Sequence, residues 1–347
     1  WLSDTDTTNV VGTELVTNGT FDTDTSGWTV GGTGATFTYF SGQAVLSRNG
    51  TSATARQDIT TVVGEYYTFS CDLTATTGVA RLGLQAGSVT NASSSEIETH
   101  SISFTATSTT TTLTLHTYNT ASGTLTVDNV SVKLADSDRS VNNNGLQVNG
   151  TITKTAVATG ADLVAYSGFS ASNYLEQPNW LGSEIGTGDF SFTGWMNRTN
   201  TTGTQRIIVH AEDAGTARAE IYSDAGNNNI NFYTRDANAS SNGVTASNIY
   251  PLNTWLFITC VRRGMTHEIY IDGELKVTFN ATIRDISTTS GRLTLGVGNY
   301  TGSSIVDPFS GSLALWRVSA TAPTAAQIKE IYEAEKPLFQ ENAKATL

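Results

Sequence analysis

The stretch that decides the fold is Glu268-Ile269-Tyr270-Ile271-Asp272-Gly273-Glu274-Leu275-Lys276-Val277-Thr278-Phe279. Two alternating runs meet at Asp-Gly, the dipeptide that most readily supplies both positive φ angles of a type I′ hairpin turn. A two-residue turn pairs Ile271 with Glu274 and Tyr270 with Leu275. The spacing then predicts one face of Tyr270, Leu275, Val277 and Phe279, and another of Ile269, Ile271, Glu274 and Lys276. The first is apolar enough to lie against a second sheet, so the hairpin belongs in a sandwich.

The rest of the 347 residues agrees with that reading. Thr, Ser, Gly and Asn dominate, while Asp, Glu, Lys and Arg make up only 14%. Such a surface suits many short strands joined by turns. Helix formers gather only after Pro323, where Thr324 and Gln327 form a capping box and Ile328, Ile331 and Tyr332 share one face before Pro337. The length allows two domains, each with its own core. Six strand-like pieces recur between Glu14 and Leu134, and a second series runs from about Ala161 to Val318. The expected architecture is therefore all-β: two tandem antiparallel β-sandwich domains with one short C-terminal helix. Its parts are a lead-in at 1–12, a first sandwich at 13–135, a linker at 136–160, a second sandwich with the closing helix at 161–337, and a tail at 338–347. The polar run from Asp136 to Gly145 is the core of the linker. After it, Leu146-Gln147-Val148-Asn149-Gly150-Thr151-Ile152 invites a turn at Asn-Gly, but a two-residue turn would put Ile152 on the wrong face. Either a bulge corrects the register or the segment is extended and pairs with another chain.

A net charge of -12 with no basic segment argues against nucleic-acid binding. No apolar run has the length of a membrane span and no signal peptide is legible, so membrane insertion is not expected. Acidity is compatible with calcium. Cys71 and Cys260 each fall on the apolar side of a strand, in different domains, and read as buried free thiols. The first residue is Trp1, which leads to the expectation of a portion of a longer polypeptide.

Two resemblances follow from quoted motifs. Glu14-Leu15-Val16-Thr17-Asn18-Gly19-Thr20-Phe21-Asp22 with Gly27-Trp28, then Gln57, Gly64 and Tyr66-Tyr67-Thr68-Phe69, and finally Leu125-Thr126-Val127-Asp128-Asn129-Val130 resemble carbohydrate-binding modules of the jelly-roll type. In the second block, Asp189-Phe190-Ser191-Phe192-Thr193-Gly194-Trp195, Asn253-Thr254-Trp255, the Asp-Gly hairpin, Phe309-Ser310-Gly311-Ser312-Leu313 and the capped helix resemble the laminin-G-like, concanavalin A-like sandwich. Together, joined by Leu-Gln-Val-Asn-Gly-Thr-Ile-Thr, they are similar to tail-fibre and other appendage proteins of bacteriophages.

Glycosidases on the concanavalin-like sandwich carry carboxylates two or three apart along one strand, which places nucleophile and acid on one face. Here Glu176, Glu184, Glu212, Asp213, Glu220, Glu268 and Glu274 are scattered, and no phosphate loop, serine elbow or metal-spaced histidines occur. No catalytic residues are expected. The first resemblance implies a structural Ca2+ near Asp22 and Asp128; otherwise these are Asx-turn aspartates in a Thr-rich loop. Trp28, Trp195, Trp255 and Trp316 read as packing residues. Trp180, Tyr39 and Tyr300 lie in loop-like or turn-like surroundings and are the candidates for stacking on sugar rings.

The function expected is a non-enzymatic bacteriophage virion appendage protein that recognises host-surface polysaccharide. It would sit on the virion surface after assembly in the host cytoplasm, contact other virion proteins and form a homo-oligomer, with a trimer favoured. The alternatives are a purely structural capsid decoration or head fibre, and the binding portion of a secreted polysaccharide-degrading enzyme.

Overall fold

The computed structural model describes residues 10–48, 52–91, 93–118, 122–136, 145–178, 185–212, 216–247, 251–287, 291–300 and 304–344. Its regular secondary structure is nearly all antiparallel β-strand, closed by the helix Ala325–Glu335. The chain forms two compact units. One comprises Gly12–Gln147 with Gln177–Asn179, and the other comprises Val148–Glu176 and Trp180–Leu347 with Trp1–Val11. The core of the expected linker, 137–144, lies outside the described residues.

In the N-terminal unit two sheets face each other. One has the strand order Thr36–Phe40, Gln43–Arg48, Gly123–Asp136, Tyr66–Gly78, Thr99–Thr105. The other is five-stranded, in the order Thr29–Gly31, Thr54–Thr60, Thr110–Tyr118, Arg81–Ala86, Val89–Thr90. Alternation decides what each strand buries. Tyr67, Phe69, Cys71 and Leu73 from one sheet meet Leu82, Leu84, Leu113 and Leu115 from the other in one apolar core. Side chains close the ends of this sandwich. Glu14 accepts hydrogen bonds from the Val132 amide (2.8 Å) and the Ser131 hydroxyl (2.6 Å), which fastens the opening segment to the closing strand. Gln57, buried, accepts from the Thr17 amide (2.7 Å) and donates to the Thr17 and Gly27 carbonyls (2.8 and 3.2 Å).

In the C-terminal unit one sheet runs through Val164–Ser167, Gly311–Ser319, Phe190–Arg198, Trp255–Arg263, Thr266–Ile271 and Glu274–Asn280. The other runs through Gly291–Leu295, Gln205–Glu212, Arg218–Ser223, Ile230–Arg235 and Ser241–Ala246. Between them Phe190 and Phe192 meet Phe232 edge to face, at 5.7 and 6.4 Å, and His267 lies 5.2 Å from Phe232. The first sheet is buried on its outer face too. There Trp195, Phe257 and Tyr270 pack under the helix and the short 3-10 turn Lys336–Phe339.

The Asp-Gly hairpin forms with the expected turn: Asp272 and Gly273 have φ of 52° and 77°, and Tyr270 pairs with Leu275 and Ile271 with Glu274. Its second strand departs from the expected faces. A bulge at Lys276 pairs Ile269 with Val277 and His267 with Phe279, so Val277 and Phe279 join the side of Ile269 rather than that of Tyr270. This strand is also the outermost of its sheet, and Leu275 and Phe279 stay 50% and 45% exposed. The apolar face expected to pack is thus supplied by the first strand alone. Gly273 has a second role, because a Cβ there would stand 3.2 Å from Lys329 Cα and from the Tyr332 ring. The helix rests on the turn.

Two further boundaries move. The expected linker contains the strand Leu146–Ala156, which continues through Asn149-Gly150 with Gly150 at a φ of 66° and pairs with this chain's own strands, at Ala135↔Gln147 and Thr153↔Ser167. The expected tail contains Phe339, stacked on Trp195 at 4.1 Å. The capping box at Thr324 and Gln327 is present as read from the sequence, and both cysteines are free and buried.

Two predictions follow from these interiors. Replacing Gln57 by Leu strands two backbone groups at Thr17 and one at Gly27, and is expected to cost about 2–3 kcal/mol in denaturant unfolding of the N-terminal unit. In the C-terminal unit, burial lowers the His210 and His267 pKa values to about 4, and Arg262 adds to the effect at His267. The unfolded chain, with histidines near 6.5, then binds protons that the folded unit refuses. Histidine-linked stability is complete above about pH 6.5 and falls as pH drops toward about 4. The melting temperature of the C-terminal unit should fall over that window, and less steeply in the double variant His210→Gln, His267→Gln.

Candidate functional site

The outer face of the five-stranded sheet in the N-terminal unit is built by the same alternation that buries Leu113 and Leu115. Thr112, Thr114, His116 and Tyr118 point outward from the central strand. Arg56 and Asp58 do so from one neighbour, and Arg81 and Gln85 from the other. Across the sheet the register aligns Gly31, Thr54, His116 and Gly83. The glycines leave hollows on either side of Thr54 and His116. Tyr118 fills one: a Cβ on Gly83 would lie 2.0 Å from its ring, so the ring covers the bare backbone. His116 stands against it with ring centroids 4.1 Å apart.

The result is a half-buried aromatic pair with Arg81 opposite Tyr118, while Arg56 and Gln85 stand opposite Thr114 farther along the same face. Burial lowers the His116 pKa, and Arg48 and Arg56 lower it further, so the imidazole is neutral at pH 7. Its Nδ1 is buried, with no hydrogen-bond partner among the described residues. Such a shelf offers a flat apolar ring beside neutral and cationic hydrogen-bonding groups, the combination that takes the C–H face of a pyranose and its hydroxyls.

None of the described residues singled out from the sequence lies on this face. Trp180 lies outside the described residues. Tyr39 belongs to Thr36–Phe40, beside the turn at Ser41-Gly42, and is 43% exposed. Tyr300 is held rather than presented. Its hydroxyl donates to Glu220 (2.7 Å), and the guanidinium groups of Arg218 and Arg206 lie 5.0 and 5.7 Å from its ring. Glu220 draws three groups to one buried carboxylate: Arg206 (3.0 Å), Arg218 (3.3 Å) and Tyr300. Glu176 is likewise engaged by Arg292 (3.3 Å) and Asn299 (2.8 Å).

Asp22 and Asp128 lie near enough to interact electrostatically. Burial raises the Asp128 pKa, and the neighbouring charges of Asp72 and Asp22 raise it further. Their oxygens already have protein donors, from the Thr20 hydroxyl to Asp22 (3.0 Å), the Asn129 amide to Asp128 (2.8 Å), and Thr99 and Asn129 to Asp72. Among the described residues no group of three or more His, Cys, Asp or Glu is arranged to hold a metal ion.

Residues 169–329 match the family model Laminin_G_3, described as the concanavalin A-like lectin/glucanases superfamily. Among curated proteins, no relative matches in sequence. The binding domain of botulinum neurotoxin serotype G is similar in structure, with a TM-score of 0.46 and 17% identity over 57% of this chain and 48% of that one. The CBM40 module of the Ruminococcus gnavus IT-sialidase, bound to α2,3-sialyllactose, has a TM-score of 0.39 and 11% identity over 43% of this chain and 85% of that one. A heptameric SAP-like pentraxin from Limulus polyphemus has a TM-score of 0.35 and 17% identity, covering 42% and 69%. At these identities the likeness is one of fold alone.

The hydrogen bonds at Asp22, Asp72 and Asp128 lead to a third prediction. Addition of a calcium chelator is expected to leave the melting temperature of the chain unchanged; a clear decrease would establish a structural ion there.

Proposed function

We propose that this chain is a non-enzymatic recognition protein that binds glycans through the outer face of the N-terminal five-stranded sheet. The observation that carries the reading is the Tyr118 ring laid over Gly83 with His116 against it. Stacking there would orient a sugar ring, while Arg56, Arg81 and Gln85 select among its hydroxyls. The match of residues 169–329 to a lectin and glucanase superfamily supports a carbohydrate setting for the other unit.

The non-enzymatic part is supported by the carboxylates. Glycoside hydrolysis needs two facing carboxyl groups, one of them free to carry a proton. Glu220 has each oxygen bonded to an arginine or a tyrosine, and Glu176 is bonded to Arg292 and Asn299. These are structural pairs.

The setting of a virion appendage, with copies assembled into an oligomer and presented to a host-surface polysaccharide, belongs to this proposal and rests on the sequence resemblance. It fits a single shelf well, because several weak sites on one fibre gain avidity without new contacts. Binding of the chain to an array of neutral and acidic oligosaccharides is the test. Tyr118→Ala is expected to weaken the bound saccharide about tenfold, the worth of a stacking contact near 1.4 kcal/mol. The melting temperature should change little, since the ring is half-buried on an outer face. Absence of binding to every saccharide, or binding indifferent to Tyr118, would overturn the proposal.

A further inference from the structure

The outer face of the N-terminal five-stranded sheet is positive in a chain whose net charge is -12. Its strands present Arg56, Arg81 and one carboxylate, Asp58. Asp58 stands opposite Thr112 and accepts its hydroxyl at 2.6 Å, at the far end of the face from Tyr118. Arg56 and Arg81 are exposed, and neither has an ion pair or a hydrogen bond among the described residues. A third guanidinium lies on the inner side. Arg48 follows Ala44 and Leu46 on the buried side of Gln43–Arg48 and is 5% exposed. Its Nη1 donates to the Thr117 carbonyl at 3.4 Å, and its Nε is buried without a partner among the described residues. Residues 49–51, which follow it, and 119–121, which follow Tyr118, contain no Asp or Glu. A buried charge without a counter-charge is costly, and an anion close by offsets that cost.

The glycine hollows set where the charge meets the shelf. Tyr118 occupies the hollow at Gly83. At the other, a Cβ on Gly31 would stand 4.0 Å from Arg56 Cζ, so this guanidinium lies beside the bare backbone. Burial first, then the charges of Arg48 and Arg56, lowers the His116 pKa, so both guanidinium groups act at the aromatic pair. The order across the sheet is then the Arg56 guanidinium, the Thr54 hydroxyl, the His116 imidazole and the Tyr118 ring, with Arg81 opposite Tyr118. Gly31 and Gly83 are three strand spacings apart, about 14 Å, which is longer than one sugar ring. A guanidinium fork matches a carboxylate or a sulfate with paired hydrogen bonds.

We infer that the glycan taken by this shelf is an acidic oligosaccharide whose carboxylate or sulfate group is held by the Arg56 guanidinium. This charge preference rests on glycan binding by the shelf, as proposed from Tyr118 and His116. Titration calorimetry of the intact chain tests it with five probes: a uronic-acid oligosaccharide and its carboxyl-reduced form, a sulfated oligosaccharide and its desulfated form, and inorganic sulfate. Each is titrated into the parent, Arg56→Gln and Tyr118→Ala.

At least one acidic oligosaccharide is expected to bind about tenfold more tightly than its neutral form, the worth of a charge-assisted contact. Arg56→Gln should abolish that preference, and added salt should weaken acidic binding more than neutral binding. The melting temperature of Arg56→Gln should equal that of the parent, since the side chain is exposed and unpaired. The tighter of the two acidic probes identifies the oxyanion. Neutral forms that bind as tightly as the acidic ones, with both weakened in Tyr118→Ala, would overturn the inference and leave the glycan shelf standing. Acidic binding lost in Arg56→Gln and unchanged in Tyr118→Ala would uphold the charge preference and overturn the stacking reading. Acidic binding that Arg56→Gln leaves intact would overturn the inference, as would inorganic sulfate binding as tightly as the sulfated oligosaccharide, or no binding of either acidic probe.

Discussion

The C-terminal unit depends on a sheet that must be covered twice. Its central strands, Phe190–Arg198 and Trp255–Arg263, are apolar on both sides: Phe190, Phe192, Ile258 and Cys260 face the opposing sheet, while Trp195, Phe257 and Val261 face outward. An antiparallel sheet can leave one face to water, but this one cannot without exposing a tryptophan and a phenylalanine. The helix after Pro323 supplies the cover. Thr324 starts it, Ile328 and Tyr332 lie on the sheet, and Phe339 closes over Trp195. The Trp195 indole then donates to Glu335 (2.7 Å), so its polar edge is satisfied by the element that buries it. Gly273 belongs to the same constraint, because a Cβ there would press on Lys329 Cα and the Tyr332 ring, both 3.2 Å away.

A second theme is the use of long polar side chains to fix loops that short strands cannot hold. Arg262 is fully buried and donates to the carbonyls of Gly186, Gly188 and Arg284. Burial lowers its pKa to about 10, which still leaves it charged at neutral pH. Arg198, equally buried, bonds Gln205, Ser223 and the Asn227 carbonyl. Gln57 and Glu14 do the same in the N-terminal unit. Buried backbone carbonyls and amides in irregular segments need partners, and one side chain per loop provides them. The shelf on the outer face of the five-stranded sheet rests on a scaffold tied in this way.

The candidate site was only partly legible. The alternation Thr112-Leu113-Thr114-Leu115-His116-Thr117-Tyr118 marks His116 and Tyr118 as outward-facing. Nothing local says that Gly83 is the residue beside them, because that strand lies about thirty residues earlier and reaches them by pairing. Attention to loops led instead to Tyr39, Tyr300 and Trp180. Tyr300 does sit beside Gly298, but its phenol is claimed by Glu220, eighty residues away in sequence. The seating of Arg56 beside Gly31 was invisible for the same reason, as a matter of strand register.

By itself the sequence determined what short-range physics controls. The Asp-Gly turn, the capped helix, the buried thiols and the all-β class follow from φ preferences, side-chain hydrogen bonds and period-two burial, each settled within about ten residues. The tertiary structure decided the rest: the bulge that turned Val277 and Phe279 over, the strand through Asn149-Gly150, the docking of Phe339, and the face that carries both Tyr118 and Arg56. These depend on which strands become neighbours and in what register. Many alternating Thr-rich strands could pair with one another, and only the closing of both cores selects among the pairings.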